Sequence, residues 1–130
     1  MEVKRLVKNL PLLGPVARKV YRSLLNRSKR FPGSESYWNN RYEAGGNSGD
    51  GSYNHLAEFK AEILNQFVHE NKVSSVIEYG CGDGNQLSLA NYPRYTGYDV
   101  SAKAVSMCTD AFAGDDTKSF RLLEPNCSET

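Results

Sequence analysis

Val76-Ile77-Glu78-Tyr79-Gly80-Cys81-Gly82-Asp83-Gly84-Asn85 is the stretch that decides the fold. An apolar, β-branched run ends in a carboxylate and gives way to glycine at alternate positions. That order predicts a buried strand, a tight turn and the start of a helix, the place where parallel α/β sheets receive nucleotide-like ligands. Glycine has a physical task there. Lacking a Cβ, it lets the backbone take positive φ and lets a ligand come close to the main chain.

Charge and spacing narrow the ligand. A dinucleotide fingerprint runs G-x-G-x-x-G and offers helix N-terminal amides to a pyrophosphate. In this chain the third glycine comes one residue early, and the Gly-Lys-Ser/Thr of a phosphate loop is absent. Glu78 and Asp83 flank the turn, with no Lys or Arg between Lys72 and Arg94. Two carboxylates repel a phosphate and attract a cation. S-adenosylmethionine, with an ammonium, a sulfonium and no phosphate, meets that requirement. Glu78-x-Gly80-x-Gly82-x-Gly84 resembles the first motif of class I S-adenosylmethionine-dependent methyltransferases. The fold class this implies is α/β: a partial Rossmann-like sheet of three parallel strands with helices, preceded by a basic amphipathic helix.

A second carboxylate site follows. Tyr95-Thr96-Gly97-Tyr98-Asp99-Val100-Ser101 reads as another strand ending in an acid, then a serine able to cap a helix. A carboxylate at a neighbouring strand tip can accept both hydrogen bonds of a ribose diol. The resemblance gives Asp99 that task and extends cofactor contact to Asp83, Asn85, Val100 and Ser101. The plainer reading of each acid is a solvated helix cap.

Upstream, Tyr37-Trp38-Asn39-Asn40-Arg41-Tyr42 lies in a short helix capped by Ser34, and a glycine-rich loop follows over 44–52. A Tyr-Trp-x-x-Arg-Tyr segment before such a loop is similar to the lid of several methyltransferase subfamilies. By that resemblance Tyr37, Trp38 and Arg41 fold over the methionine end of the cofactor, with Arg41 reaching its carboxylate. The competing reading is a surface helix anchored by Trp38 and Tyr42.

The helix at 54–71 carries the clearest periodicity. Leu56, Phe59, Ile63 and Phe67 form a stripe, with Leu64 and Val68 beside it, expected to pack beneath the first strand, with Glu58, Lys60, Glu62 and Glu70 facing away and Asn54 as cap. Shorter helices are expected at 86–90 and 101–113, and a third strand at 117–123. Cys81 reads as a small filler, with a position at a helix start that could lower its pKa. His55 and His69 lack partners at ligand spacing, so no metal site is expected.

Three segments follow: 1–31, a basic amphipathic stretch; 32–53, the lid-like helix and loop; and 54–130, the amino-terminal part of the cofactor-binding domain. The first holds nine basic residues against Glu2 alone, and the remainder holds 7 basic and 14 acidic residues. A basic helix with Val16, Val20 and Leu24 on one face suits peripheral contact with an anionic membrane, docking on a protein or, less well, nucleic acid.

At 130 residues the chain is one domain at most. A complete class I fold has seven strands and needs roughly 200 residues, within the ordinary domain range. Only three strands are found, so the sequence reads as truncated. Three cysteines without a C-x-x-C pair point to a reducing, cytoplasmic setting. The implied activity is methyl transfer to a small-molecule acceptor, a sugar among the candidates, with no general base identified. A non-catalytic remnant that binds cofactor, or a partner covering an unpaired sheet edge, is the alternative. A nucleotide-binding oxidoreductase is disfavoured by the glycine spacing and by Glu78.

Overall fold

The computed structural model describes residues 31–124. The expected basic helix of the first thirty residues and the tail with Cys127 lie outside the described residues. All described elements belong to the stretch Pro32–Thr130. They are α1 (Ser34–Glu43), a 3-10 turn (Asp50–Ser52), α2 (Asn54–Glu70), β1 (Val76–Tyr79), α3 (Asn85–Ser88), β2 (Tyr95–Asp99), α4 (Ala102–Ala111) and β3 (Lys118–Leu122).

The strands form one parallel sheet in the order β1-β2-β3. Parallel neighbours need a crossover between them, and α3 and α4 occupy the two crossovers. In register, Val76 faces Tyr95 and Glu78 faces Gly97, while Tyr95 faces Lys118 and Asp99 faces Leu122. Alternation along β2 puts Tyr95, Gly97 and Asp99 on the buried side. Tyr95 is the centre of the core. Its ring lies 5.9 Å from both Tyr92 and Phe120, and Phe120 lies 5.7 Å from Phe112. Cys81, Leu87 and Cys108 close the cluster.

Gly97 shows why these residues fit. The glycine turn after β1 passes over it so closely that a Cβ there would lie 2.8 Å from the Cβ of Cys81 and 2.9 Å from the Tyr95 ring. Ser101 ends β2's turn as expected: its Oγ accepts from the Ala104 N–H at 3.1 Å and caps α4.

Three local expectations need correction. Asn54 does not cap α2; Tyr53 holds the cap position in extended geometry, and Asn54 is the first helical residue with φ of 52°. Ser34 likewise lies inside α1, behind Gly33, with no side-chain cap. Most consequential is the face of α2. Leu56, Phe59, Ile63 and Phe67 are exposed, Phe59 at 60%, whereas Ala57, Ala61 and Val68 are buried. At 100° per residue these lie on nearly the opposite side of the helix. The helix meets the domain through Ala57, Ala61 and Val68, and Gln86 of α3 reaches the Ala57 carbonyl at 3.0 Å.

The outward side of β1 is equally open, with Ile77 and Tyr79 exposed, and among the described residues no strand pairs its outer edge. No described helix is long and apolar enough to cross a membrane.

Gly97→Ala should lower unfolding free energy by about 1–3 kcal/mol, the usual cost of overpacking. Gly51→Ala, at a position where a Cβ meets nothing within 4 Å, should change it by less than about 0.5 kcal/mol. Urea titrations of the two variants decide it; equal losses would show that the turn does not rest on Gly97.

Candidate functional site

The site begins at the bend after β1. Gly80, Gly82 and Gly84 have φ of 87°, 62° and 81°, the left-handed region that favours glycine. The N–H groups of Gly80 and Cys81 both donate to the Tyr98 carbonyl, at 2.6 and 3.0 Å, and set the bend against β2. A Cβ on Gly84 would press on Phe112 and Cys108, so that glycine serves packing. A Cβ on Gly80 would meet nothing within 4 Å. Main chain is therefore bare toward a cleft at this point.

Asp99, only 6% exposed, braces the bend. Its Oδ2 accepts from the Gly82 N–H at 2.9 Å and its Oδ1 from the Ser101 N–H at 2.8 Å. Glu78 accepts from the Tyr95 hydroxyl at 2.6 Å through Oε2. Burial, with the nearby Glu78 carboxylate, pushes the Tyr95 phenol up, so it stays a donor.

Asp83 does something the sequence did not disclose. Its Oδ2 accepts from the Ser48 N–H and the Tyr53 hydroxyl, both at 2.8 Å, and its Oδ1 from the Asn85 N–H at 3.1 Å. In return the Asp83 N–H donates to Ser48 Oγ at 2.9 Å, and that oxygen shares a hydrogen bond with the Tyr42 hydroxyl. Asn85 Nδ2 donates to the Ser52 carbonyl at 2.7 Å. Together these bonds latch the loop between α1 and α2 onto the bend. Burial pushes the Asp83 carboxyl up, but the hydrogen bonds from Ser48, Asn85 and Tyr53 outweigh it and hold it below its ordinary 3.8. Tyr53 is pushed up to about 12 by burial and by that same carboxylate.

Behind the latch lies a cleft of about 130 Å³. Its walls include Glu78, Asp83 and Asp99, the bend at Gly80 to Gly82, and Trp38 with Tyr42 from α1. Lys60 of α2, Gln86 of α3 and Ser48 and Ser52 of the loop complete it. Sites for drug-sized ligands run from roughly 300 Å³ upward. An adenosyl-sized ligand therefore needs the latched loop to lift. Ser48 Oγ lies 2.3 Å from where a Cβ of Gly82 would be, against the backbone a ligand would approach.

Six of the twelve residues singled out from sequence line this cleft: Trp38, Glu78, Gly80, Gly82, Asp83 and Asp99. Gly84 packs against Phe112 and Cys108 and Asn85 is bonded to Asp83 and Ser52, both outside the walls. Tyr37 packs edge-on against Trp38 at 5.2 Å and is not in the walls. Arg41 lies over the Trp38 ring at 5.8 Å and donates from Nε to the Asn47 carbonyl at 2.5 Å. It organises the loop. Val100 follows Asp99 outside the walls. Ser101 is buried, capping α4 and donating to Asn39 Oδ1 at 2.7 Å.

Sequence reasoning missed Ser48, Ser52, Lys60 and Gln86. Only Ala57 and Ala61, four apart, could have signalled that α2 approaches the bend. The expected lowering of the Cys81 pKa is corrected: the residue is buried, and the neighbouring Cys108 thiol, together with burial, pushes its thiol up. A helix-start effect does not prevail.

Neither a family model nor a curated protein matches the chain. Among solved structures, it is similar to magnesium protoporphyrin IX methyltransferase from Synechocystis PCC 6803 with bound SAH. That likeness has 19% identity and a TM-score of 0.47, over 69% of this chain and 49% of that one. A SAM-dependent methyltransferase from Anabaena variabilis ATCC 29413 shares 22% identity at a TM-score of 0.45, over 69% and 37%. A putative caffeoyl-CoA O-methyltransferase from Staphylococcus aureus shares 12% at 0.48, over 79% and 50%. The chain thus spans half or less of each of these structures. At such scores the reading of the cleft rests on its own residues.

Asp99→Ala should leave two backbone N–H groups unpaired and cost about 1–3 kcal/mol for each. Asp99→Asn, which keeps one acceptor, should cost less; equal urea midpoints for wild type and both variants would remove Asp99 as the brace.

The latch has its own pH signature. A carboxylate held below its ordinary value contributes stability that is complete above 3.8 and is lost as pH falls through the lower folded value. The Ser48 amide resonance should therefore hold its position from neutral pH down to 3.8 and move only below it. Movement centred above 3.8 would contradict the latch.

Proposed function

We propose that the chain is the amino-terminal part of the cofactor-binding domain of a class I S-adenosylmethionine-dependent methyltransferase, acting on a small-molecule acceptor. The observation that carries this reading is the charge of the cleft. Three carboxylates, Glu78, Asp83 and Asp99, stand around a bare glycine bend, with Lys60 as the single cation among the described walls. Such a wall attracts a cationic ligand and repels a diphosphate.

The residues present fit that cofactor. Gly80 leaves room for close approach to the main chain. Asp99 spends one lone pair of each oxygen on the brace and retains a second on each, enough to accept from a ribose diol. Ser101 and Asp83 hold the two turns beside it. Trp38 and Tyr42, with the loop they support, would close over the ligand and exclude water, leaving orientation as the main contribution of this part of the chain. When bound, the cofactor supplies a methyl group activated by the neighbouring sulfonium.

The runner-up is a non-catalytic module that binds cofactor or a protein partner. The exposed stripe of α2 and the open edge of β1 would give such a module its docking surface, because parallel strands are ordinarily covered on both sides. Under either reading we place the chain in the cytoplasm with a protein covering that edge, and the basic charge of 1–31 supports peripheral contact with an anionic membrane.

Isothermal titration separates these readings from a dinucleotide enzyme. S-adenosylhomocysteine should give saturable heat and NAD none. Heat from NAD alone would overturn the proposal. Transfer of a labelled methyl group in a lysate then divides enzyme from module.

A further inference from the structure

A second hollow lies at the opposite end of the sheet from the glycine bend, where α2 ends and the chain enters β1 and β2. It measures about 510 Å³, within the range of small-molecule sites. Val68, Val73 and Pro93 give it an apolar surface, and His69 and Lys72 are the ionisable side chains of its described walls. No carboxylate is among those walls.

Its two sides are held by specific bonds. Asn65 of α2 donates from Nδ2 to the Leu89 carbonyl at 2.9 Å, and its Oδ1 accepts from the Asn91 N–H at 2.7 Å. That side chain fixes the loop before β2 against the helix. The other side is the end of α2 itself. There the Lys72 N–H donates to the His69 carbonyl at 3.2 Å and the Val73 N–H to the Val68 carbonyl at 3.0 Å, the paired bonds of a Schellman turn. The turn puts Lys72 at φ of 51°, in the left-handed region that glycine ordinarily fills at this place. A lysine kept where glycine would be unstrained calls for a use of its side chain.

The helix end does not supply that use. The Phe67 carbonyl accepts from the Asn71 N–H at 3.0 Å and from Asn71 Nδ2 at 2.9 Å, so the carbonyls of Phe67, Val68 and His69 are all taken by other donors. Among the described residues, neither the Lys72 nor the His69 side chain has a hydrogen-bond or ion-pair partner.

We propose that this hollow binds a small organic anion, its phosphate or carboxylate head on Lys72 and His69 and its apolar body against Val68, Val73 and Pro93. Lys72 brings a point charge with three donors on a flexible stem, and the His69 ring offers an N–H in either protonation state. The site shares no residue with the cleft, so it stands whether or not the cleft takes an adenosyl ligand.

Phenyl phosphate carries both parts of such a ligand; inorganic phosphate and phenol carry one each. In NMR titrations of the full chain, phenyl phosphate should saturate with shifts centred on the amides of Lys72, Val73 and Asn91. Each half-ligand should bind at least about tenfold more weakly. Lys72→Met should weaken phenyl phosphate by about tenfold, the loss of a charge-assisted contact. Lys72→Gly should weaken it equally yet raise the thermal midpoint by about 4 °C, since the backbone strain leaves with the side chain. Benzoate run in parallel assigns the head: tighter binding than the ester makes it a carboxylate site, weaker binding a phosphate site, and the hollow is a ligand site in both cases. Inorganic phosphate binding as tightly as the ester would reduce the hollow to a charged surface and overturn the proposal. So would saturation by neither phenyl phosphate nor benzoate, unchanged affinity in the lysine variants, or a lower midpoint for Lys72→Gly.

Discussion

The structure turns on one carboxylate that holds two backbone turns together. Asp99 receives the N–H of Gly82 from the bend after β1 and the N–H of Ser101 at the entrance to α4. Neither turn has a ladder partner there, and backbone donors buried without one are costly. The bend can therefore remain glycine-rich and open at Gly80 without collapsing, since its fixed point lies on the neighbouring strand. The close pass of Cys81 over Gly97 and the seat of Tyr95 on Glu78 follow from the same placement.

Much of this arrangement was legible in the sequence, for reasons that lie in local chemistry. An apolar run ending in an acid, alternate glycines, and an acid followed two residues later by a capping serine each constrain the backbone over a few residues. These produced β1, the bend, β2 and the cap of α4. The contacts that sequence could not disclose are long-range. Ser48 meets Asp83 across 35 positions, and nothing in a glycine-rich loop marks which serine will do so. Gln86 and Lys60 became wall residues only when α2 came close to α3.

The error over α2 is instructive in the same terms. A stripe of Leu56, Phe59, Ile63 and Phe67 is the stronger hydrophobic signal, yet the face turned inward is that of Ala57, Ala61 and Val68. Area and proximity are separate demands on a helix face. The large residues offer apolar area of the kind that ordinarily seeks cover, and they share that exposure with Ile77 and Tyr79 of β1. The described residues thus divide into a side closed by the latched loop and an apolar side without a described neighbour.

The loop fastened by Ser48, Asp83, Tyr53 and Asn85 has a kinetic and thermodynamic meaning of its own. A protein that rests shut against its ligand admits it only from the minority of molecules standing ajar, and its measured dissociation constant is the intrinsic one divided by that minority fraction. Weak affinity in a first assay would thus report on the hinge as much as on the pocket.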